Sequence, residues 1–382
     1  MKNRIDEIDI IKGILILFVI STHAAGFSGL KGLYPTMTHF SSAFGLIAMV
    51  SFYMLTGYTY NQGNKTIVQA IGKRIKAILL PYYTYCVPMI AVLFILFIPI
   101  EHRTIGWFVD GVIAIIFQLQ STYIFSNGTS VHEMMYSVFA CWFIFQLLAA
   151  FLVFVPVYHL VENKKLYVKI ATALVLLGIG AVLYHLNIQK LNGEFFPPVC
   201  KMFVLPNIFG ISGLLMIGKC ASIVNLLDIG NQCKSKRVIY STVSLAIVAI
   251  GIATDDYMYD FPIGKWGAFG EISYFITSIY GIALIVLLGN ISYVIKRNKT
   301  VKNTLLFFGE NTLDFLLLHF FIVWFVSYIG GFWAPAQSSV VISEFDAAEI
   351  WIHFLITMSV TLVINSVVVI LKTNLNLRRC VE

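Results

Sequence analysis

The chain has 382 residues, 59% of them apolar and only 12% charged, with a mean hydropathy of +0.85 and a formal net charge of +7. A soluble domain carries roughly twice that charged fraction. The composition excludes a disordered chain, a disulfide-stapled secreted module and most soluble enzymes, and it points to a polytopic membrane protein.

Apolar stretches of about 20 residues, the length needed to cross a bilayer, recur along the whole chain. They fall at roughly 9–28, 38–60, 75–100, 133–161, 167–186, 199–218, 238–254, 269–295, 312–330 and 350–371. Backbone polar groups must be satisfied inside lipid, so these spans predict helices. Their hydrophobicity is continuous rather than alternating, which argues against a barrel. The expected fold is an all-α polytopic membrane helix bundle of about ten transmembrane helices with both termini cytoplasmic. One membrane domain covers 1–371, and a short cytoplasmic tail covers 372–382. No cleavable signal is expected.

Ionisable groups inside a span are costly and so are functional candidates. The first span carries Asp9, Lys12 and His23. Eleven residues separate Lys12 from His23, which returns them to nearly one helix face after about 16 Å of rise. Lys12 then lies at the cytoplasmic boundary and His23 in the outer half. The functional reading makes His23 a general base, because burial disfavours the charged ring and leaves it able to accept a proton. Lys12 would hold an anion at the inner mouth. The plainer reading is an interhelical histidine and a snorkelling lysine.

The second span ends with Ser51, Thr56, Gly57 and Tyr58, a small polar surface suited to helix packing or to a pocket wall. The loop and entry to the third span carry Lys73, Arg74 and Lys76 ahead of Pro81-Tyr82-Tyr83. This cationic knot suits phosphates, Arg74 bidentately; its plainer role is topogenic. Segment 105–119 is apolar but short, and is expected to be a re-entrant or surface helix on the outer side. Trp142 in the fourth span and Glu271 at the start of the eighth are further candidates, against core packing and a helix-start charge. The ninth span brings Asn311, Thr312, Asp314 and His319. The plainer reading has the first three capping the helix start and His319 bonding a neighbouring helix.

The positive-inside rule tests the parse. With the N-terminus inside, 21 of the 26 lysines and arginines face the cytoplasm, and only Lys31, Arg103, Lys190, Lys201 and Lys265 fall outside. A full crossing at 105–119 would collapse this bias. Trp107, Trp266, Trp333 and Trp351 sit near the outer boundary, as do the acidic loops around Asp255 and Glu344. The basic charge therefore fixes orientation and faces membrane lipid, and no nucleic-acid partner is expected. The six cysteines offer no pair on the outer side to oxidise. No histidine pair has metal-ligand spacing, and neither a P-loop nor a G-x-S-x-G elbow appears.

In order along the chain, these pieces resemble the acyltransferase-3 family of integral-membrane O-acyltransferases, and its fucose 4-O-acetylase-like subgroup in particular. Asp9, Lys12 and Gly13, followed by His23, look like the family's opening. F-Y-M-L-T-G-Y, K-R-I-K-A-I-L-L-P-Y, C-W-F-I-F at Trp142 and G-E-N-T-L-D-F-L-L-L-H resemble its later segments. Lys12 stands where many members carry Arg, and Leu316 where a Tyr is usual three residues before the ninth-span histidine. The resemblance implies transfer of an acyl group, usually acetyl, from cytoplasmic acyl-CoA to a hydroxyl of a cell-surface or lipid-linked glycan, in the bacterial cytoplasmic membrane. Acetyl-CoA would be a co-substrate, with no bound cofactor and no metal. It implies catalytic His23 and His319, with Asp9, Lys12, Lys73, Arg74, Lys76, Tyr58, Trp142 and Asn311 around the substrates. The rival from another class is a transporter or flippase of a lipid-linked saccharide, which would favour inverted repeats and broken helices; a third is a non-catalytic scaffold.

Overall fold

The computed structural model describes residues 6–28, 35–95, 104–117, 142–186, 205–228, 233–254, 273–329 and 346–374. These form twelve helices: α1 (Asp6–Phe27), α2 (Pro35–Tyr58), α3 (Ile67–Ile95), α4 (Ile105–Phe117), α5 (Trp142–Val161), α6 (Leu166–Leu186), α7 (Leu205–Ile223), α8 (Lys234–Ala253), α9 (Ser273–Ile295), α10 (Lys299–Glu310), α11 (Thr312–Ile329) and α12 (Ala347–Asn374). No strand occurs among the described residues. Among the described residues, seven helices are long and apolar enough to cross a membrane, and eight if α10 and α11 are counted as one bent span. Each of the ten predicted spans falls on one helix.

Large apolar side chains face outward as a lipid environment requires: Val182, Leu245 and Val363 are each more than half exposed. Inside, lipid supplies no hydrophobic drive for helix association, so close backbone approach carries it. Two glycine seams do this. A Cβ on Gly57 would lie 1.9 Å from the Leu215 carbonyl oxygen, and one on Gly218 1.9 Å from that of Met54, so α2 and α7 meet backbone to backbone. A Cβ on Gly309 would lie 1.7 Å from the Asp9 oxygen, and one on Gly13 2.3 Å from that of Leu305, which joins α1 to α10.

Four features depart from, or refine, the sequence reading. First, α3 starts eight residues before the predicted span, so Lys73, Arg74 and Lys76 lie on its first turns and not in a loop. The cause is a capping box: Thr66 Oγ1 accepts from the Gln69 amide at 3.3 Å, and Gln69 Oε1 accepts from the Thr66 amide at 3.1 Å. Second, residues 299–310, which lie between two predicted spans, form helix α10. Asn298 caps it by accepting from the Thr300 and Val301 amides, and its apolar side, Leu305 and Gly309, is buried. Third, α10 and α11 meet at 81°. Asn311 Nδ2 donates to the Phe307 carbonyl at 2.8 Å and Thr312 Oγ1 to that of Gly309 at 2.7 Å. These side chains close the end of α10. Fourth, α4 runs back along α3, with Phe108 against Phe94 at one end and Tyr82 OH donating to the Ile115 carbonyl at 2.6 Å at the other. It extends along the span rather than lying across its end. Residues 255–272, Glu271 among them, and 330–345 lie outside the described residues.

Candidate functional site

One end of the bundle is tied by ion pairs: Lys302 of α10 meets Asp6 of α1 at 2.6 Å, and Lys296 pairs with Glu7. Within α1, Lys12 meets Asp9 at 3.4 Å. On the other flank Lys372 of α12 donates to Asp314 of α11 at 2.6 Å, and Tyr85 OH of α3 donates to the same oxygen at 2.9 Å. Asp314 thus fastens three helices together at the foot of α11.

Above this charged layer the two sequence-flagged histidines come together. The rings of His23 on α1 and His319 on α11 have centroids 5.3 Å apart, with the planes inclined at 47°. Phe320 presents an edge to His23 at 5.0 Å. His23 is half-buried and turned into the bundle, while His319 has no exposed surface. By helical rise both rings lie about 12–17 Å beyond Lys12 and Asn311, close to half of a roughly 30 Å hydrocarbon core.

The bonding of His319 fixes its tautomer. Its Nδ1 lies 3.0 Å from the carbonyl oxygens of both Phe315 and Leu316. Carbonyl oxygens only accept, so Nδ1 carries the hydrogen. Nε2 is then a lone-pair acceptor, and it has no partner among the described residues. A neutral, oriented imidazole of this kind is what a general base needs.

Arg74 occupies a second neighbourhood at the inner end of α3. Its guanidinium lies 5.5 Å from the centroid of Tyr60 and 5.2 Å from that of Phe151. Such stacking holds the cation without using its N–H edge, and among the described residues Arg74 makes neither hydrogen bond nor ion pair. Lys219 of α7 donates to the Tyr60 carbonyl at 2.9 Å and lies over Tyr158. Sequence reasoning missed Lys219; a lysine following Gly218 near the end of an apolar span was the available signal.

The other flagged residues divide. Lys73 and Lys76 are exposed cations on the same turns as Arg74. Asp9 is buried, pairs with Lys12 and backs onto Gly309. Tyr58 ends α2 beside the Leu227 backbone. Thr56 and Ser51 donate to carbonyls of their own helix, and Gly57 serves close packing. The amide of Asn311 is engaged by α10. Trp142 is the first residue of α5, and its side chain lies outside the described residues. No group of three His, Cys, Asp or Glu among the described residues is placed to hold a metal.

A family model described as an acyltransferase domain matches residues 5–370, nearly the whole chain. No curated protein and no solved structure matches it.

Proposed function

The chain belongs to the acyltransferase-3 family, and on that premise we propose that this multi-pass membrane acyltransferase is an acetyl-CoA-dependent O-acetyltransferase acting on a cell-surface or lipid-linked glycan in the bacterial cytoplasmic membrane. The observation that carries the reading is the His23–His319 pair, with the lone pair of His319 Nε2 held free by two backbone acceptors on Nδ1. The acceptor hydroxyl gives its proton to the imidazole pair as its oxygen bonds to the thioester carbon. The carbon–sulfur bond then breaks, and the proton passes to the CoA thiolate, leaving an ester and a free thiol. Arg74 supports donor binding, since its unpaired fork matches a phosphate. Lys73, Lys76 and Lys219 add positive charge around it, and the Asp9–Lys12 pair lies within α1 below His23.

The test compares wild type with His23→Ala and His319→Ala in membranes at equal expression. Labelled acetyl-CoA is the donor, and envelope glycolipid from a null strain is the acceptor. Each variant should lose about 10²–10⁴-fold in turnover. Mass spectrometry of surface glycans should show the null strain lighter by one acetyl group per modified unit. Turnover like that of wild type in both variants, or glycan masses that do not differ, refutes the proposal.

A further inference from the structure

We infer that Thr361 and Asn365 of α12 form a second wall of the histidine site and hold hydroxyls of a polyhydroxylated acceptor; this rests on the acyl-transfer reading above. Helix α12 buries a single stripe, namely Ile350, His353, Thr357, Thr361, Asn365 and Val369. Polar residues on such a stripe ordinarily hydrogen-bond across the helix interface, so the rungs that find no partner are the informative ones. The helices α12 packs against most are α11 and α1, which carry His319 and His23. The first rungs of the stripe are satisfied: His353 Nε2 lies 3.1 Å from Ser327 Oγ of α11 and 3.4 Å from Thr357 Oγ1.

The next two rungs are not. Thr361 and Asn365 have no exposed surface, and Asn365 Nδ2 donates to the Thr361 carbonyl at 2.8 Å. Thr361 Oγ1 and Asn365 Oδ1 have no partner among the described residues, and neither does His319 Nε2. Two cross-links set the register of α11 against α12: Asp314 with Lys372, and Ser327 with His353. Interpolating between them places His319 opposite about residue 365, or about residue 362 once the reach of the lysine side chain is allowed for. Three orphaned polar atoms therefore share one layer of the bundle.

Their chemistry selects the ligand. Nε2 of His319 and Oδ1 of Asn365 can only accept, and the threonine hydroxyl can do either. A thioester brings no hydrogen to two acceptors, and a phosphate would be repelled by their lone pairs. Neighbouring hydroxyls of a saccharide bring one hydrogen each and an oxygen for the threonine. Unpaired buried polar atoms weaken a fold, and apolar residues of the same shape would remove the penalty. Their presence fits a site completed by substrate.

The experiment uses full-length protein in detergent micelles, comparing wild type, Thr361→Val, Asn365→Leu and the double variant. Null-strain envelope glycolipid is the binding probe. Without glycolipid, the variants should unfold at the same temperature as wild type or higher. Glycolipid should raise the unfolding temperature of wild type and not of the double variant. In transfer assays the KM for glycolipid should rise about three- to tenfold per substitution, with the KM for acetyl-CoA within twofold of wild type. Lower unfolding temperatures in the variants, an equal glycolipid shift in both proteins, or a raised acetyl-CoA KM alone overturns the inference. Wild type that binds glycolipid but never consumes acetyl-CoA refutes the acyl-transfer proposal and leaves the binding comparison intact.

Discussion

Replacing Gly309 by alanine tests whether the α1–α10 seam sets the catalytic geometry. The new Cβ would lie 1.7 Å from the Asp9 carbonyl oxygen and 2.5 Å from its carbon, where ordinary contact begins at 3.4 Å. Both obstacles are backbone, so no side chain can swing aside, and α10 must retreat from α1 by about 1.7 Å, the difference between those distances. Alanine favours a helix over glycine by about 1 kcal/mol, but overpacking of this kind costs about 1–3 kcal/mol or more, so the net effect is destabilising. The displacement does not stop at α10. Only Asn311 separates it from α11, which carries His319, while Asp9 shares α1 with His23. Misplacing reacting groups by about 1 Å costs about a hundredfold in rate. Gly309→Ala should therefore insert, unfold at a lower temperature in detergent, and transfer acetyl about a hundredfold more slowly from labelled acetyl-CoA in membrane vesicles. Gly72→Ala on α3 is the control, since nothing lies within 4 Å of its Cβ. It should turn over like wild type and unfold at the same temperature or slightly higher. If Gly309→Ala has the unfolding temperature of wild type and turnover within twofold of it, the seam does not position the histidines.

Two further outcomes follow from the inner surface. Arg74→Lys keeps the charge but loses the planar fork and its stacking on Tyr60 and Phe151. The KM for acetyl-CoA should rise about tenfold with that for glycolipid unchanged, and an unaltered donor KM would remove Arg74 from the donor site. Cys233 is exposed at the N-cap of α8, and its contact with Ser235 Oγ at 3.3 Å helps hold the thiol below its ordinary pKa, whereas Cys86 and Cys220 are buried. More of it is thiolate at neutral pH than in an ordinary cysteine, so its labelling by a membrane-impermeant maleimide should be fast and should slow as pH falls. With Cys200 and Cys380 also replaced by serine, labelling should require access from the cytoplasmic side and be lost in Cys233→Ser; labelling of intact cells would then invert the topology.

The helices were legible because lipid leaves the backbone no alternative, and the two histidines because an imidazole stands out in an apolar run. Their pairing was not legible. Which helices become neighbours depends on contacts such as Gly13 with Leu305 and Gly309 with Asp9, and neither glycine differs in sequence from one that packs on nothing, such as Gly178. Arg74 was flagged as a charge, but its character comes from Tyr60 and Phe151 on other segments. Helix α10 had its cap in plain view at Asn298; the lysines at 299 and 302 masked the apolar side that Leu305 and Gly309 bury. Thr361 and Asn365 escaped notice because single neutral polar residues are unremarkable in a span, and only the absence of partners makes them informative.

The seam between α2 and α7 has a further consequence. Sliding one helix past the other by a turn would drive a side chain into the place of Gly57 or Gly218, so the two move as a single rod. Tyr60 lies three residues beyond Gly57, and Lys219 is the immediate neighbour of Gly218. The surroundings of Arg74 and Lys219 are consequently cast in advance, and under the proposed donor role a bound anion would have little rearrangement left to drive.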